Sequence, residues 1–429
     1  MKSPFIEIAF IALLSFASVC QTGFAAPMEL SLETSIALTY KNNPALQITE
    51  AQAEQASWGV REAQTNQHLS VDYTHTDMRS NAPPSWSPSL AAVSPYNYFS
   101  NQVTASLPLY TGGKMENTIE QARLGHKIAL LQIAATRQQL KLEASEGYYK
   151  VLQNKALLEI AQQTVNDFDA HLQRVRQMFD IGVVAWRDVL QTKVRLANAE
   201  NSLVQAQNDY DLAVYSLNKT MGLPLRNEIT LTEPLTYQES TSTLDDVTAY
   251  GLAHRPEMGQ QQGNIEKEEA QMKIAQSGKK PKVSLTGTVA WDDTDFAGTA
   301  NRDWTTMLVT QFNVFDAGYT KAQIHQAQAG QLAAKKQAQQ TQDNIALEIS
   351  DAYLSMREAE KRIDTNKIAV EEARVSFTIA QNAYSAGIGT NLDVMDAELA
   401  LKQAQTNYTN SLFDYNISKA RLDKAIGKE

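Results

Sequence analysis

The sequence predicts an α+β membrane protein. Long antiparallel coiled-coil helices carry a membrane-spanning sheet to which each chain gives four strands, and the whole is an internal two-fold repeat. Three observations carry that prediction. Two long proline-free stretches hold apolar residues at coiled-coil spacing. Two pairs of shorter runs alternate apolar and polar residues with period two. The same order of elements, with glycines at the same corners, then occurs a second time.

Lys2 is followed by an apolar run, Ile8 to Val19, too short to span a bilayer as a stable helix. Gly23-Phe24-Ala25 then offers small residues at the cleavage-determining positions, so 1–25 reads as a secretory signal peptide. The alternative is a buried N-terminal helix. Cys20, the only cysteine, is a candidate lipid-attachment site, disfavoured by the bulk of Val19. Cleavage after Ala25 would leave no disulfide, thiol nucleophile or thiolate metal site. The formal net charge is −10, and removing 1–25 does not change it because Lys2 and Glu7 cancel. No basic patch stands out, so no nucleic-acid partner is expected. No other segment has enough consecutive apolar residues for a transmembrane helix.

The first repeat is expected over 26–243. A helix from Pro27 to about Gln67, interrupted near Asn43-Pro44, is rich in Ala, Gln and Glu. The pattern then changes to period two. Leu69, Val71 and Tyr73 alternate with Ser70, Asp72 and Thr74, and Val103, Ala105, Leu107 and Leu109 form a second such run. With the proline-rich loop Asn81–Tyr98 between them, they make a hairpin over 68–110. Apolar-out, polar-in strands of this length suit a membrane barrel, and the soluble alternative is a hairpin packed on a helix. A long helix follows over 113–178. Ile128, Leu131, Ala135, Leu142, Tyr149, Leu152 and Ala156 recur at coiled-coil steps along it. About 64 residues at about 1.5 Å each make a rod of roughly 95 Å, more than a globular domain needs. Gly182 offers a left-handed cap that lets the chain reverse into a return helix over 185–221. Gly222-Leu223-Pro224 stops that helix, and 223–243 is mixed.

The second repeat is expected over 244–429. Asn43-Pro44 corresponds to Arg255-Pro256 at an offset of 212, and from the second strand onward the offset is 205. Tyr110 then matches Phe315, Gly113 matches Gly318, Gly182 matches Gly387, and Asp188 matches Asp393. The difference falls around the hairpin loop, where insertions are tolerated. The corresponding elements are a hairpin over 282–315, with its second strand from Trp304 to Phe315, a long helix over 318–385, the turn at Gly387 and a return helix over 390–426. The 28–66 and 185–221 helices, stacked end to end, match one long rod in length. Four strands cannot close a barrel and an open edge in lipid is forbidden, so copies of the chain must complete the sheet.

Several motifs come to nothing. Asp292-Asp293-Thr294-Asp295 resembles the start of a calcium loop but lacks the rest, and reads as a solvated loop tip. His68 and His75 are odd-spaced and fall on opposite strand faces, so no metal is expected. Gly387-Ile388-Gly389 lacks a third glycine and a preceding strand. No cofactor and no enzymatic activity are expected.

Certain segments resemble the TolC-type outer-membrane efflux family. They are Leu107-Pro108-Leu109-Tyr110-Thr111-Gly112-Gly113-Lys114, Val314-Phe315-Asp316-Ala317-Gly318, and the turn regions Phe179…Gly182…Asp188-Val189 and Tyr384…Gly387…Asp393-Val394-Met395-Asp396-Ala397. The resemblance implies a homotrimer with a 12-stranded barrel in outer-membrane lipid and a 12-helix tunnel hanging into the periplasm. A mixed belt at the equator would comprise 223–243 and the C-terminal end. It implies an exit duct working with a periplasmic adaptor and an inner-membrane transporter. A structural coiled-coil or adhesin-like trimer is the second reading, and a periplasmic adaptor, which lacks paired membrane strands, the third. The tips would be the periplasmic gate. Family links between a tyrosine, an aspartate and an arginine map to Tyr384 and Asp188, while Gly389 occupies the arginine position. Arg187 is a neighbouring candidate substitute. Asp393 and Asp396 share a helix face, so three-fold symmetry would stack them as carboxylate rings. Such rings should select cations and raise one another's pKa. The bland alternative is that Asp393 only caps the returning helix from Thr390.

Overall fold

The computed structural model describes residues 28–81, 96–239 and 241–428. The expected signal peptide with Cys20, and nearly all of the first hairpin loop, lie outside them.

The described chain opens on a strand, not on the expected helix. Strand β1 (Met28–Leu30) pairs in parallel with β4 (Ile229–Leu231), inside the segment expected to be mixed. Helix α1 (Leu32–Asn42) begins only after Ser31. The cause is local. The Ser31 hydroxyl accepts from Thr34 N at 3.1 Å and the Thr34 hydroxyl accepts from Ser31 N at 2.8 Å, which holds Ser31 extended as a cap. Leu30 is thereby free to pack with Leu217, Met221 and Ile229 in a small core. Helix α2 (Pro44–Thr65) follows, with Pro44 in the first turn, where the missing N–H costs little.

Next come β2 (Ser70–Ser80), β3 (Tyr96–Tyr110), α3 (Lys114–Asp180) and α4 (Trp186–Thr220). After β4 the chain continues through α5 (Leu244–His254), α6 (Pro256–Gln276), β5 (Lys282–Asp293), β6 (Asn301–Gln311), α7 (Tyr319–Ser385) and α8 (Asn391–Ala425). Strand β6 was expected to reach Phe315 but ends at Gln311. Lys282↔Gln311 is its last rung, because β5 begins there. By Asp316 the chain is already capping α7: the carboxylate accepts from Gly318 N at 3.0 Å and Thr320 N at 2.9 Å.

The strands form one antiparallel sheet in the order β2-β3-β5-β6. Over the rungs nearer the helices its register sorts the side chains by chemistry, while His75, Asn101, Trp291 and Arg302 form a mixed row further out. One face carries the row Tyr73, Val103, Val289 and Trp304, the row Val71, Ala105, Gly287 and Thr306, and then Leu107, Leu285 and Leu308. The other carries Asp72, Thr104, Thr288 and Thr305, with Ser70, Ser106, Thr286 and Met307 beside them. On the apolar face Val71, Tyr73, Leu285, Val289, Trp304 and Leu308 are exposed in the single chain. Strands β2 and β6 are the edges, and neither has an outer neighbour among the described residues.

Helices α3 and α7 have 67 residues each, or roughly 100 Å at about 1.5 Å per residue. Beside α3 lie α4 and, beyond it, α1 and α2; beside α7 lie α8, α5 and α6. The shorter helices meet end to end, joined by side chains that take up the last carbonyls. Asn42 Nδ2 donates to Met221 O at 3.2 Å and Asn43 Nδ2 to Thr220 O at 2.9 Å. At the other joint, buried Arg255 donates from Nη1 to Lys424 O and Ala425 O, both at 3.2 Å. Among the described residues no helix is long and apolar enough to cross a membrane.

Candidate functional site

The long helices end at two tight turns, where Gly182 has φ +79° and Gly387 has φ +75°. Val183 N donates to Met178 O at 2.8 Å and Gly182 N to Phe179 O at 2.9 Å. In the other turn, Ile388 N donates to Ala383 O and Gly387 N to Tyr384 O, both at 3.0 Å. Both are Schellman ends. A Cβ at either glycine would meet nothing within 4 Å, so only backbone preference favours glycine there. Gly389 is different. A Cβ on it would lie 2.9 Å from Tyr384 N and 3.1 Å from Ala383 C. The turn folds back against the end of α7, so no arginine fits position 389 in this conformation.

Behind the turns lies a buried polar cluster drawn from α3, α4, α7 and α8. Asn391 begins α8. Its Oδ1 is 2.7 Å from His171 Nε2 and 3.2 Å from the Thr192 hydroxyl, and its Nδ2 is 3.4 Å from Asp188 O. With Nδ2 turned to a carbonyl, Oδ1 accepts, which assigns the proton of neutral His171 to Nε2. Burial pulls the His171 pKa below the usual imidazole value, against the bond to Asn391.

Tyr384 stands edge-on to His171, with ring centroids 5.1 Å apart. Its hydroxyl is buried and has no hydrogen-bond partner among the described residues. Burial raises its pKa, and the charge of Asp188 adds to the effect. Asp188 lies 3.7 Å from Arg187 Nε. The fold thus gathers Tyr384, Asp188 and Arg187 at one place, without a direct bond between the phenol and the carboxylate.

Asp393 and Asp396 are both exposed on α8. Asp393 Oδ2 accepts from Thr390 N at 2.9 Å and Asp393 N donates to the Thr390 hydroxyl at 3.2 Å, a reciprocal cap. The Thr390 hydroxyl and backbone N–H hold the Asp393 carboxyl below the usual carboxylate range. Within one chain the cap governs Asp393, and mutual elevation between rings needs neighbouring copies.

One face of α8 carries a group that sequence reasoning passed over. Asn391, Met395 and Glu398 follow one another at coiled-coil steps, and Glu398 is buried with Oε2 unpartnered. Burial pushes its pKa up to about 8; Asp167 on α3 adds to this and Lys402 opposes it. Asp167 is itself raised by burial, against hydrogen bonds from Gln163 Nε2. A signal existed: Thr164, Phe168, His171 and Val175 on α3 are spaced as a seam, and polar residues on a seam specify register. Around the first turn Ile181, Val183, Trp186, Leu190 and Val194 are exposed. No cluster of three or more potential metal ligands occurs among the described residues.

The chain matches the model of the outer membrane efflux protein family over residues 36–223 and 251–428. It is 22% identical over 304 residues to the outer membrane protein TolC of Escherichia coli, covering 68% of this chain and 62% of TolC. It is also 22% identical over 313 residues to the solvent efflux pump outer membrane protein SrpC of Pseudomonas putida, covering 72% of this chain and 64% of SrpC. The chain thus spans less than two thirds of the length of these relatives. The solved structure of CusC superposes with TM-score 0.80 at 17% identity, covering 93% of this chain and 92% of CusC. That of VceC from Vibrio cholerae gives TM-score 0.79 at 20% identity, covering 92% of this chain and 96% of VceC. At such identities structural likeness speaks to fold alone. The family match extends over most of the sequence, and the chain belongs to the outer membrane efflux protein family, as an outer-membrane protein of the TolC type and not an enzyme.

Proposed function

We propose that the protein is the outer-membrane exit duct of a tripartite efflux or type I secretion system, working as a homotrimer. The carrying observation is the four-stranded sheet, apolar on one face and polar on the other over the rungs nearer the helices, with both edges unpaired among the described residues. In lipid every backbone group must be satisfied, so β6 of one copy pairs with β2 of the next until the barrel closes. Three copies give twelve strands around a polar lumen. The two halves of the chain, which follow the same order of elements, act as an internal repeat, and their long helices make the wall of a tunnel.

In this reading the duct is passive and its gate lies at the turns of Gly182 and Gly387. Tyr384 and Asp188 belong to the linkage that holds the tips. Asp393 and Asp396 form the cation-selective constriction once three copies surround the axis. The exposed apolar residues from Ile181 to Val194 suit docking of a periplasmic adaptor, which connects the duct to an inner-membrane transporter. The test is the mass of the protein in mild detergent. A trimer resistant to dissociation is expected; a monomer that keeps its strand signal by circular dichroism would overturn the assembly.

A further inference from the structure

The seam behind the turns holds a carboxylic acid that conduction does not use. Glu398 on α8 is 3% exposed, and its Oε2 is buried with no hydrogen-bond partner among the described residues. A carboxylate placed so is costly, whereas the neutral acid is tolerated, so the site favours the proton. Glu398 also sits where the helices of the tip converge. It follows Asn391 and Met395 along α8. Asn391 ties His171 of α3 to Thr192 of α4, and Met395 packs on Phe168 of α3 and Ala199 of α4.

Its surroundings oppose ionisation further. From α3 comes Asp167, half-buried, whose carboxylate accepts from Gln163 Nε2 at 3.0 and 3.1 Å. On α8 itself Lys402 acts against Asp167. Helix α4 brings Leu196 and Ala199 to the seam, and α7 brings Ala373 and Phe377. Lys367, Glu371 and Arg374 of α7 line the neighbouring groove with Glu159 and Gln163 of α3, and none of these acts on Glu398. The arrangement belongs to one half of the chain. At the repeat offset, Lys193 stands where Glu398 does and Glu372 where Asp167 does, both exposed. Opposite charges in water there correspond to two acids in a seam here.

We propose that Glu398 is a proton-operated latch of the tip: with its proton α8 lies against α3, and without it the charge, opposed by Asp167, draws α8 toward water and parts the turns. The proposal rests on the reading of these turns as the gate. The proton passes to and from solvent, and an ionised Glu398 is hydrated only where the seam has parted. The linkage has a definite form. Closed, the group keeps its proton up to a pH of about 8; parted, it titrates as an ordinary glutamate. The parted fraction therefore rises with pH, by up to about tenfold per unit, and levels off above about 8, where both states are ionised.

Pulsed electron-spin distances test this in the full protein in mild detergent, between labels carried by Ile181→Cys and Ile388→Cys, both exposed at the turns. Infrared difference spectra of the same samples read the neutral carboxyl. With Glu398 intact, a longer distance should gain share as pH rises to about 8 and then hold, while a neutral-carboxyl band fades. Glu398→Gln should lack that band and keep the short distance at every pH. Asp167→Asn removes the opposing acid, so the share should level off at lower pH; Lys402→Gln should move it to higher pH. A distance that ignores pH, or the same response in Glu398→Gln, would overturn the latch. If Glu398→Gln fails to fold, an unmoved response in Asp167→Asn overturns it instead. Conductance judges the gate separately. A distance that follows pH while conductance does not would leave the latch standing and place the gate elsewhere, and a conductance that follows pH at fixed distance would do the reverse.

Discussion

His171 on α3 and Asn391 on α8 meet at 2.7 Å, across the seam between the two halves of the chain. The Tyr384 hydroxyl beside them bonds to nothing among the described residues. Within one chain, the amide of Asn391 therefore ties the tip more firmly than the phenol does.

That difference is measurable. Asn391→Leu leaves His171 Nε2–H and the Thr192 hydroxyl without this acceptor, at a cost of about 1–3 kcal/mol. Tyr384→Phe removes an unbonded hydroxyl and should cost less than about 1 kcal/mol. Hydrogen exchange at the tip should accelerate in the first variant and not in the second, and basal conductance should follow the same order. Acceleration in Tyr384→Phe alone would move the tie to the tyrosine.

Glu398 makes the seam sensitive to alkali. Its pKa rises from 4.5 to about 8 on folding, so the folded state binds more protons than the unfolded state between those values. Stability from this group is fully present below the unfolded pKa and is lost as pH rises through about 8. His171 acts the other way. Its folded pKa lies below its usual 6.5, so its neutral form costs stability as pH falls through that value. Thermal melting of the wild type should weaken as pH rises from about 6.5 to about 8 and level off above it, and Glu398→Gln should flatten that decline. An unchanged decline in the variant would assign it to other groups.

Gly387 and Gly389, both in the second turn, should differ in how much a side chain costs. Gly387→Ala carries only the left-handed backbone penalty, about 1–2 kcal/mol, because no atom stands near its Cβ. Gly389→Arg drives a Cβ to 2.9 Å from Tyr384 N, so it should displace the turn as well. Export by the Gly389 variant should fall further than export by Gly387→Ala. The reverse ranking would show that the turn adapts more readily at position 389.

Asp393 and Asp396 should separate into a structural and an electrostatic role. Asp393→Asn weakens the bond to Thr390 N and should lower stability by about 0.5–1 kcal/mol. Asp396 makes no side-chain bond among the described residues, so Asp396→Asn should leave melting unchanged and reduce cation preference in bilayers. The double variant should lose that preference. Selectivity that survives in the double variant would place the filter elsewhere.

Much of the fold was legible because it is periodic. The proline-free seams marked α3 and α7, and alternation along Leu69–Tyr73 and Val103–Leu109 marked the sheet faces. What escaped was non-local or small. Strand β1 has three residues and finds its partner some 200 positions away, at Ile229–Leu231, which no local pattern announces. The end of β6 was set by where β5 begins, and that is register, not propensity. In the candidate site the glycine turns and Asp393 could be read from spacing. His171, Thr192, Asn391 and Glu398 could not be grouped, because each looks like an ordinary seam position until α3, α4 and α8 are brought together.

The central claim is that copies of this chain close a conducting barrel, and single-channel recording of the purified protein in a planar bilayer tests it most directly. The account predicts discrete, long-lived conductance steps that favour cations and are blocked by multivalent cations added on the side of the helical tips. A protein that inserts as a trimer yet passes no ions under any gating condition, including in Asn391→Leu, would contradict it and leave a structural rod.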